Sequence, residues 1–445
     1  MTVVDRSFSP RWRVRLAATL SAAALSVAAV VTGTSAASAD TVIGTPIPLG
    51  ASPYSVAITP DGSRAYVTNN AGNSVSVIDT ASGTTIGNPI PVGTHPIGVA
   101  ITPDGNRAYV TNNADGSVSV IDTASGTTIG NPITVGTSPH LVAITPDGNR
   151  AYVINWSDDS VSVIDTASGT TIGNPITVGT RPTGVAFTPD GNRAYVTNWF
   201  NSSVSVIDTT SGTTIGNPIP VGPMPFGVAI TPDGSRAYVT SQWGGTVSVI
   251  DTASGTTIGN PITVDRTPTG VAITPDGSRA YVTNQYGNSV SVIDTASNTV
   301  IGNPITVDTR PTGVAITPDG SRAYITNRDS NSVSVIAIDR APTLSGTPTT
   351  AALDQPYRYT FTVTGQPTPT VTITSGHLPD GLTLSTTGEL SGTPTTAGQF
   401  EFTLTATNGI GDDAELPVVL DITDTTTTPT GSLGSLGFGS GIFGS

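Results

Sequence analysis

Apolar and polar residues alternate along most of this chain in short runs separated by turn-forming residues. The first clear set is Ser55 to Thr59, Arg64 to Asn69, Ser74 to Asp79 and Thr85 to Val92, each rich in Val, Ile, Tyr or Thr. Such runs, bounded by Gly, Asn, Asp and Pro, predict four strands of an antiparallel meander, here named A to D. Between A and B stands Pro60-Asp61-Gly62-Ser63, where Asp-Gly supplies the positive φ of a tight turn. If residues 70–73 form the B–C loop, Arg64 falls opposite Asp79, Tyr66 opposite Val77 and Thr68 opposite Val75. The Arg is then expected to be a cross-strand partner of the Asp. Ser alternating with Val in the C strand suits a sheet covered on both faces.

The same pattern recurs. TPDG-x-R-A-Y begins at Thr59, Thr102, Thr145, Thr188, Thr231, Thr274 and Thr317, always 43 residues apart. A period in the forties with four short strands per unit predicts a β-propeller, and seven units predict seven blades. Thr41 to Gly50, TVIGTPIPLG, matches the D strand TTIGNPIPVG, whereas the seventh unit leaves through Ile338-Asp339-Arg340 without a D strand. The N-terminal segment is therefore expected to complete the last blade and close the ring. The repeated Arg and Asp residues are read as structural, because an active site is needed once and not seven times.

In a meander the A–B and C–D turns share one face of the ring, and the B–C and D–A loops share the other. The first face is nearly identical in every unit; the second varies. Its candidate ligand-binding residues are Trp156, Trp199, Phe200, Trp243, Tyr286 and Arg328 in the B–C loops, with His95, His140, Arg181, Phe226 and Arg310 in the D–A loops. Clustered aromatics at a propeller mouth either stack on a ligand or pack on one another and plug the channel. Catalysis has less to work with: residues 40–340 contain no Glu, Lys or Cys, and their only His are His95 and His140. These two are expected near the channel, as solvent-facing loop residues or, with an Asp, as a metal pair. No catalytic residue is assigned.

Composition narrows the setting. Arg6, Arg11, Arg13 and Arg15 precede an apolar run from Leu16 to Val31, and Ala37-Ser38-Ala39 follows, which reads as a signal peptide over residues 1–39 cleaved before Asp40. Cleavage would leave 13 basic against 30 acidic residues, a net charge of −17, with no Lys anywhere. That charge argues against nucleic acid as a partner. No later run is long enough to span a membrane. The expected product is a secreted or surface-associated monomer whose partner is an extracellular glycan, peptide or surface protein. There is no Cys, hence no disulfide. No cofactor is expected apart from Ca²⁺, for which Asp158 with Asp159, and Asp412, Asp413 and Glu415, are weak candidates lacking the DxDxDG pattern.

The B strands read YVTN at Tyr66, Tyr109, Tyr195 and Tyr281, with YVIN at Tyr152, YVTS at Tyr238 and YITN at Tyr324. With PDG-x-R before and SVSVID after, residues 41 to about 340 closely resemble the YVTN-repeat β-propeller family, which includes YncE-like and surface-layer-type proteins. The resemblance implies a bacterial, frequently exported protein, and related seven-bladed propellers include lactonases and a streptogramin lyase. From 341 to 423 the composition shifts to Thr, Pro and Leu. Leu378 to Asn408 resembles the He-PIG Ig-like module of bacterial surface proteins, and LSGTPTTA occurs at Leu344 and again at Leu390. Its likeness to cadherin-like sandwiches is what raises calcium. Residues 424–445 are Gly-, Ser- and Thr-rich and are expected to be disordered. The expectation is an all-β chain, a seven-bladed propeller closed by an N-terminal strand and followed by an Ig-like sandwich. It would act in binding or adhesion, with a lactonase- or lyase-like enzyme, or a calcium-binding surface protein, as alternatives.

Overall fold

The computed structural model describes residues 40–424, so the signal-peptide reading and the reading of the final segment, 425–445, lie outside the described residues. Every regular element described is a strand. Among the described residues no helix is long and apolar enough to cross a membrane.

Seven antiparallel sheets follow the seven repeats. In blade 1, strand A is Pro53–Ile58, B is Arg64–Asn69 and C is Ser74–Asp79. The register is the expected one, with Arg64 opposite Asp79, Tyr66 opposite Val77 and Thr68 opposite Val75. Strand D departs from expectation. It is two fragments, Thr84–Thr85 and Ile90–Pro91, both paired with strand C. Between them lie Gly87 at φ 63° and Pro89, which has no N–H to give the ladder. In blades 4 and 6 the same strand runs unbroken as Thr213–Pro220 and Thr299–Thr306, with a register shift at the same place.

The ring closes as expected. Thr41–Pro48 pairs antiparallel with Ser332–Ala337, so blade 7 takes its outer strand from the other end of the propeller. Asp40 adds a second closure that the strand pattern did not reveal. In blades 1 to 5 and in blade 7 the repeated Arg donates to the carbonyl of a Thr just after the next C strand. Blade 7 has Ile338 at that Thr position. There the buried Asp40 carboxylate accepts from Arg279 Nη1 at 2.8 Å, from the Tyr281 hydroxyl at 2.5 Å and from the Asp339 amide at 2.9 Å.

The expected Arg–Asp cross-strand pair does not form. Arg64 Nη1 reaches Thr123 O in the next blade at 2.7 Å, as Arg193 reaches Thr252 O at 2.8 Å and Arg150 reaches Thr209 O at 2.9 Å. The two residues are opposite in register, but the long Arg side chain satisfies a carbonyl of the adjacent blade. Asp79 instead accepts from the amide and hydroxyl of Ser82 at 2.7 and 2.8 Å, closing the C–D turn. Asp61 closes the A–B turn likewise, taking the Thr59 hydroxyl at 2.5 Å and the Ser63 amide at 3.0 Å, bonds that pull its carboxyl down to about 2. The seven YVTN-type Tyr residues are fully buried between blades; Tyr66, for example, packs on Ala108, Val110 and Ile121 of the next one.

Residues 340–423 form separate small sheets around Phe361, Leu390, Phe402, Leu404 and Leu420. Strand Arg340–Ser345, which ends on the first Leu-Ser of LSGT, pairs with Thr362–Gln366, and Glu389–Gly392, which ends on the second Leu-Ser-Gly, pairs with Tyr357–Thr360.

Candidate functional site

Each strand A is entered through a strained residue. Ser52, His95, Ser138, Arg181, Met224, Thr267 and Arg310 occupy one repeat position, and all have positive φ between 53° and 57° immediately before a Pro. Non-glycine residues avoid this region unless their surroundings hold them there. In four of the seven the hold includes a side-chain acceptor from the preceding blade's B–C loop: Asn331 for the Ser52 amide (2.8 Å), Asn73 for His95 (2.9 Å), Asp159 for Arg181 (2.8 Å) and Asn288 for Arg310 (3.0 Å).

After the Pro comes a residue that differs among the blades: Tyr54, Ile97, His140, Thr183, Phe226, Thr269 or Thr312. Its carbonyl accepts from the Thr of the previous blade's YVTN. Thr68 bonds Ile97 O at 2.8 Å, Thr197 bonds Phe226 O at 2.8 Å, Thr240 bonds Thr269 O at 2.7 Å and Thr326 bonds Tyr54 O at 2.8 Å. A close belt of A strands results. A Cβ on Gly227 would meet Thr269 O at 2.5 Å, and one on Gly184 would meet Phe226 O at 2.5 Å.

Blade 3 breaks the belt, because YVIN puts Ile154 where the hydroxyl should be. His140 of the same blade takes over: its Nδ1 lies 3.0 Å from Thr183 O, the carbonyl that Ile154 cannot reach. His140 is therefore not a solvent-facing loop residue. It is buried with its ring edge-on to Tyr54 and Phe226, centroids 6.1 and 5.3 Å away, and burial pushes its pKa down to about 4. His95 is exposed and is held only through its main chain. Among the described residues no group of three or more His, Asp or Glu is placed to hold a metal, so the metal pair of His with Asp that the chain suggested is not assembled. Inside the belt lies a cavity of about 120 Å³ lined by Tyr54, Leu141, Phe226, Thr312 and backbone of the glycines.

Above this neck the varying loops bring arginine onto aromatic rings. Arg181 Cζ stands 4.7 Å from the Trp156 ring centre, 5.9 Å from Trp199 and 5.8 Å from Phe200. Arg310 lies 5.3 Å from Tyr286 and Arg328 5.6 Å from Tyr54. Burial drives the Tyr54 phenol up to about 12, with Arg328 and Arg310 pulling the other way, which places both guanidinium groups in its neighbourhood. The Trp residues divide between the two readings open from sequence. Trp156 and Trp199 are half-buried, the latter donating Nε1–H to Gln242 Oε1 at 3.1 Å, whereas Trp243 is 76% exposed. Phe200 and Tyr286 are 66% and 57% exposed.

Hydrogen bonding on this face is one-sided. Its carboxylates are already engaged: Asp115 with the Thr94 amide, Asp158 with the Thr137 amide, Asp159 with the Arg181 amide, Asp265 with Ser289 and Asp308 with Ser332. This occupies Asp158 and Asp159 as loop ties, while Asp412 and Asp413 precede strand Ala414–Thr423 and Glu415 is its second residue. The guanidinium groups of Arg181, Arg266 and Arg328 have no acceptor among the described residues. Arg310 has only Asp329 at 3.4 Å, and its Nε is buried without a partner. Sequence reasoning found Arg181, Arg310 and Arg328 but missed the stacking, and missed the structural task of His140, although the Ile in YVIN was its visible sign.

Blades, belt and loops together define a seven-bladed propeller carrying an Ig-like domain. The chain belongs to the family "Lactonase, 7-bladed beta-propeller", whose family model matches residues 27–361. A second family model, "Putative Ig domain", matches residues 341–428. A chain of Kuenenia stuttgartiensis hydrazine synthase aligns with a TM-score of 0.59 at 26% identity, over 66% of this chain and 97% of that one. Some 1348 solved chains match, so likeness to any one of them speaks for the fold and not for a reaction. None of the curated proteins matches.

Proposed function

We propose that the protein is exported, with cleavage near Ala39, and binds an extracellular ligand through the face built from its B–C and D–A loops. The observation that carries this reading is the contrast between the two faces. On the TPDG side the repeated Arg and Asp side chains are spent within the fold, on carbonyls, amides and hydroxyls of nearby residues and, for Arg279, on Asp40. On the other side Phe200, Trp243 and Tyr286 stand exposed, and the guanidinium groups of Arg181, Arg266 and Arg328 have no acceptor among the described residues. Exposed aromatics and Arg are the residue types that dominate binding hot spots. In a glycan and peptide array probed with the secreted protein, a true ligand is expected to protect Trp243 from a neutral quencher. Replacing Phe200 and Trp243 together by Ala should weaken that ligand by about 1 to 3 kcal/mol with little change in melting temperature. Full quenching of Trp243 under every bound ligand would remove this face from the function.

Family membership favours a second reading, hydrolysis of a lactone at the same face. The propeller offers it few titrating groups: His140 is buried, neutral and occupied by Thr183 O, which leaves His95 and the carboxylates. A lactone screen is expected to give no turnover above background. Turnover abolished by His95→Ala would replace the binding reading with the enzymatic one. His140→Ala cannot serve as that control, because it also removes a tie between blades.

A further inference from the structure

We infer that the ligand of this face is an acidic polysaccharide, its sugar rings stacked on Phe200, Trp243 and Tyr286 and its carboxylates held by Arg181 at one end of that row and by Arg310 and Arg328 at the other. The inference rests on the loop face being a binding surface, and it adds the ligand class. Phe200, Trp243 and Tyr286 are the same residue of the B–C loop in three consecutive blades, since 43 residues separate each from the next. The pseudo-symmetry of the ring sets them at one radius and at equal angular steps. All three are well exposed, so they offer open platforms and not pocket walls. Repeated flat platforms fit a repeating ligand with flat apolar faces, which describes the C–H faces of a sugar chain.

The arginines supply the acidic part. A guanidinium stacked on a ring keeps its N–H edge free, and that edge matches a carboxylate with two parallel hydrogen bonds. Arg181 and Arg328 are stacked in this way without a protein acceptor. Arg310 is less committed than an ordinary paired arginine: its one acceptor among the described residues is Asp329 Oδ2, at 3.4 Å. The chain's net charge of −14 opposes any polyanion at long range, but at physiological salt that field is screened within about 8 Å. A nucleic acid would also offer stacking and negative charge, which makes the oligonucleotide the competing outcome of the test.

The test is a titration of the folded propeller–sandwich protein at physiological salt, followed by tryptophan emission and calorimetry. The probes are short oligogalacturonate and oligoalginate, a neutral maltooligosaccharide of equal length, poly-glutamate and oligo-deoxythymidine. An acidic sugar oligomer should bind saturably and at least about tenfold more tightly than the neutral one. The double variant R310Q/R328Q should lose about tenfold for the acidic oligomer and nothing for the neutral one, while W243A should weaken both. Equal affinity for the neutral oligomer would overturn the acidic assignment and leave the binding face standing. Poly-glutamate or the oligonucleotide binding as tightly as the acidic sugar would overturn the polysaccharide. Failure of every probe overturns the inference alone if the array yields another Trp243-protecting ligand, and overturns the binding face with it if the array yields none.

Discussion

His140 and Ile154 together fill a place that other blades give to threonine. In blades 4, 6 and 7 two Thr hydroxyls meet there, Thr183 with Thr197 at 2.9 Å, Thr269 with Thr283 at 2.9 Å and Thr312 with Thr326 at 3.0 Å. Blade 3 trades that pair for one imidazole and one alkyl group. The imidazole must stay neutral, because the native fold disfavours its protonation and the unfolded chain does not. Stability present above pH 6.5 is therefore lost as pH falls toward about 4, by about 3 kcal/mol. The double variant His140→Thr/Ile154→Thr should flatten the urea midpoint over that interval, while its carboxylates titrate as before. His140→Ala alone leaves Thr183 O without its donor and should lower stability by about 1 to 3 kcal/mol, partly restored by adding Ile154→Thr. A wild-type midpoint independent of pH between 7 and 4 would show that His140 is not held neutral. The sequence displayed both residues, but only the ring geometry, which puts one blade's B strand beside the next blade's A strand, makes them partners.

At the scale of the element, the repeat was almost fully legible because its turns are explicit. Asp-Gly and the spacing of Arg64 and Asp79 were enough to set the register of B against C. Side-chain reach was not legible: register says which residues face each other, not where a long Arg finds its best acceptor. Strand D is less regular than its residue pattern implies, because Gly87 and Pro89 interrupt an edge that has no outer neighbour to keep it straight. The closing strand is legible from its similarity to strand D, yet similarity gives no hint of Asp40, which lies one residue before it. Removing residues 40–49 should destabilise the propeller by several kcal/mol, through loss of a strand's hydrogen bonds and of Ile47 from the core. Asp40→Ala leaves the Arg279 guanidinium, a quarter exposed, with no counter-charge, and should cost about 3 kcal/mol by itself. Asp40→Asn, which keeps an acceptor, should cost less. Denaturation midpoints of the three proteins check the order; a truncated form as stable as the parent would mean that strand and carboxylate contribute nothing to closure.

For the whole molecule, seven near-copies leave one face uniform and let the other differ, so comparison among the copies located the candidate site without any second sequence. It could not separate exposed rings from buried ones, since Trp199 and Trp243 look alike in the chain and differ in what the neighbouring blade lays over them. The described tryptophans all stand on the loop face, which makes emission a local probe of it. Heat or denaturant should shift that emission in step with far-ultraviolet dichroism, because a closed ring has no end from which to fray. In the protein lacking residues 40–49 the two signals should separate, with outer blades opening first; coincident curves there would mean that cooperativity does not depend on closure.

Thr41 lies opposite Ala337, and Asp40 holds the amide of Asp339, so the propeller begins and ends at the same edge of a single blade. A pull that separates those two ends loads the clasp as a zipper, one bond after another, and not as a lap joint that shares the force. Tension arriving through the C-terminal domain would meet the Arg340 contacts to Asp319 O and Asp276 first and the Asp40 carboxylate next. Under load, this short run of side-chain ties governs when the ring opens.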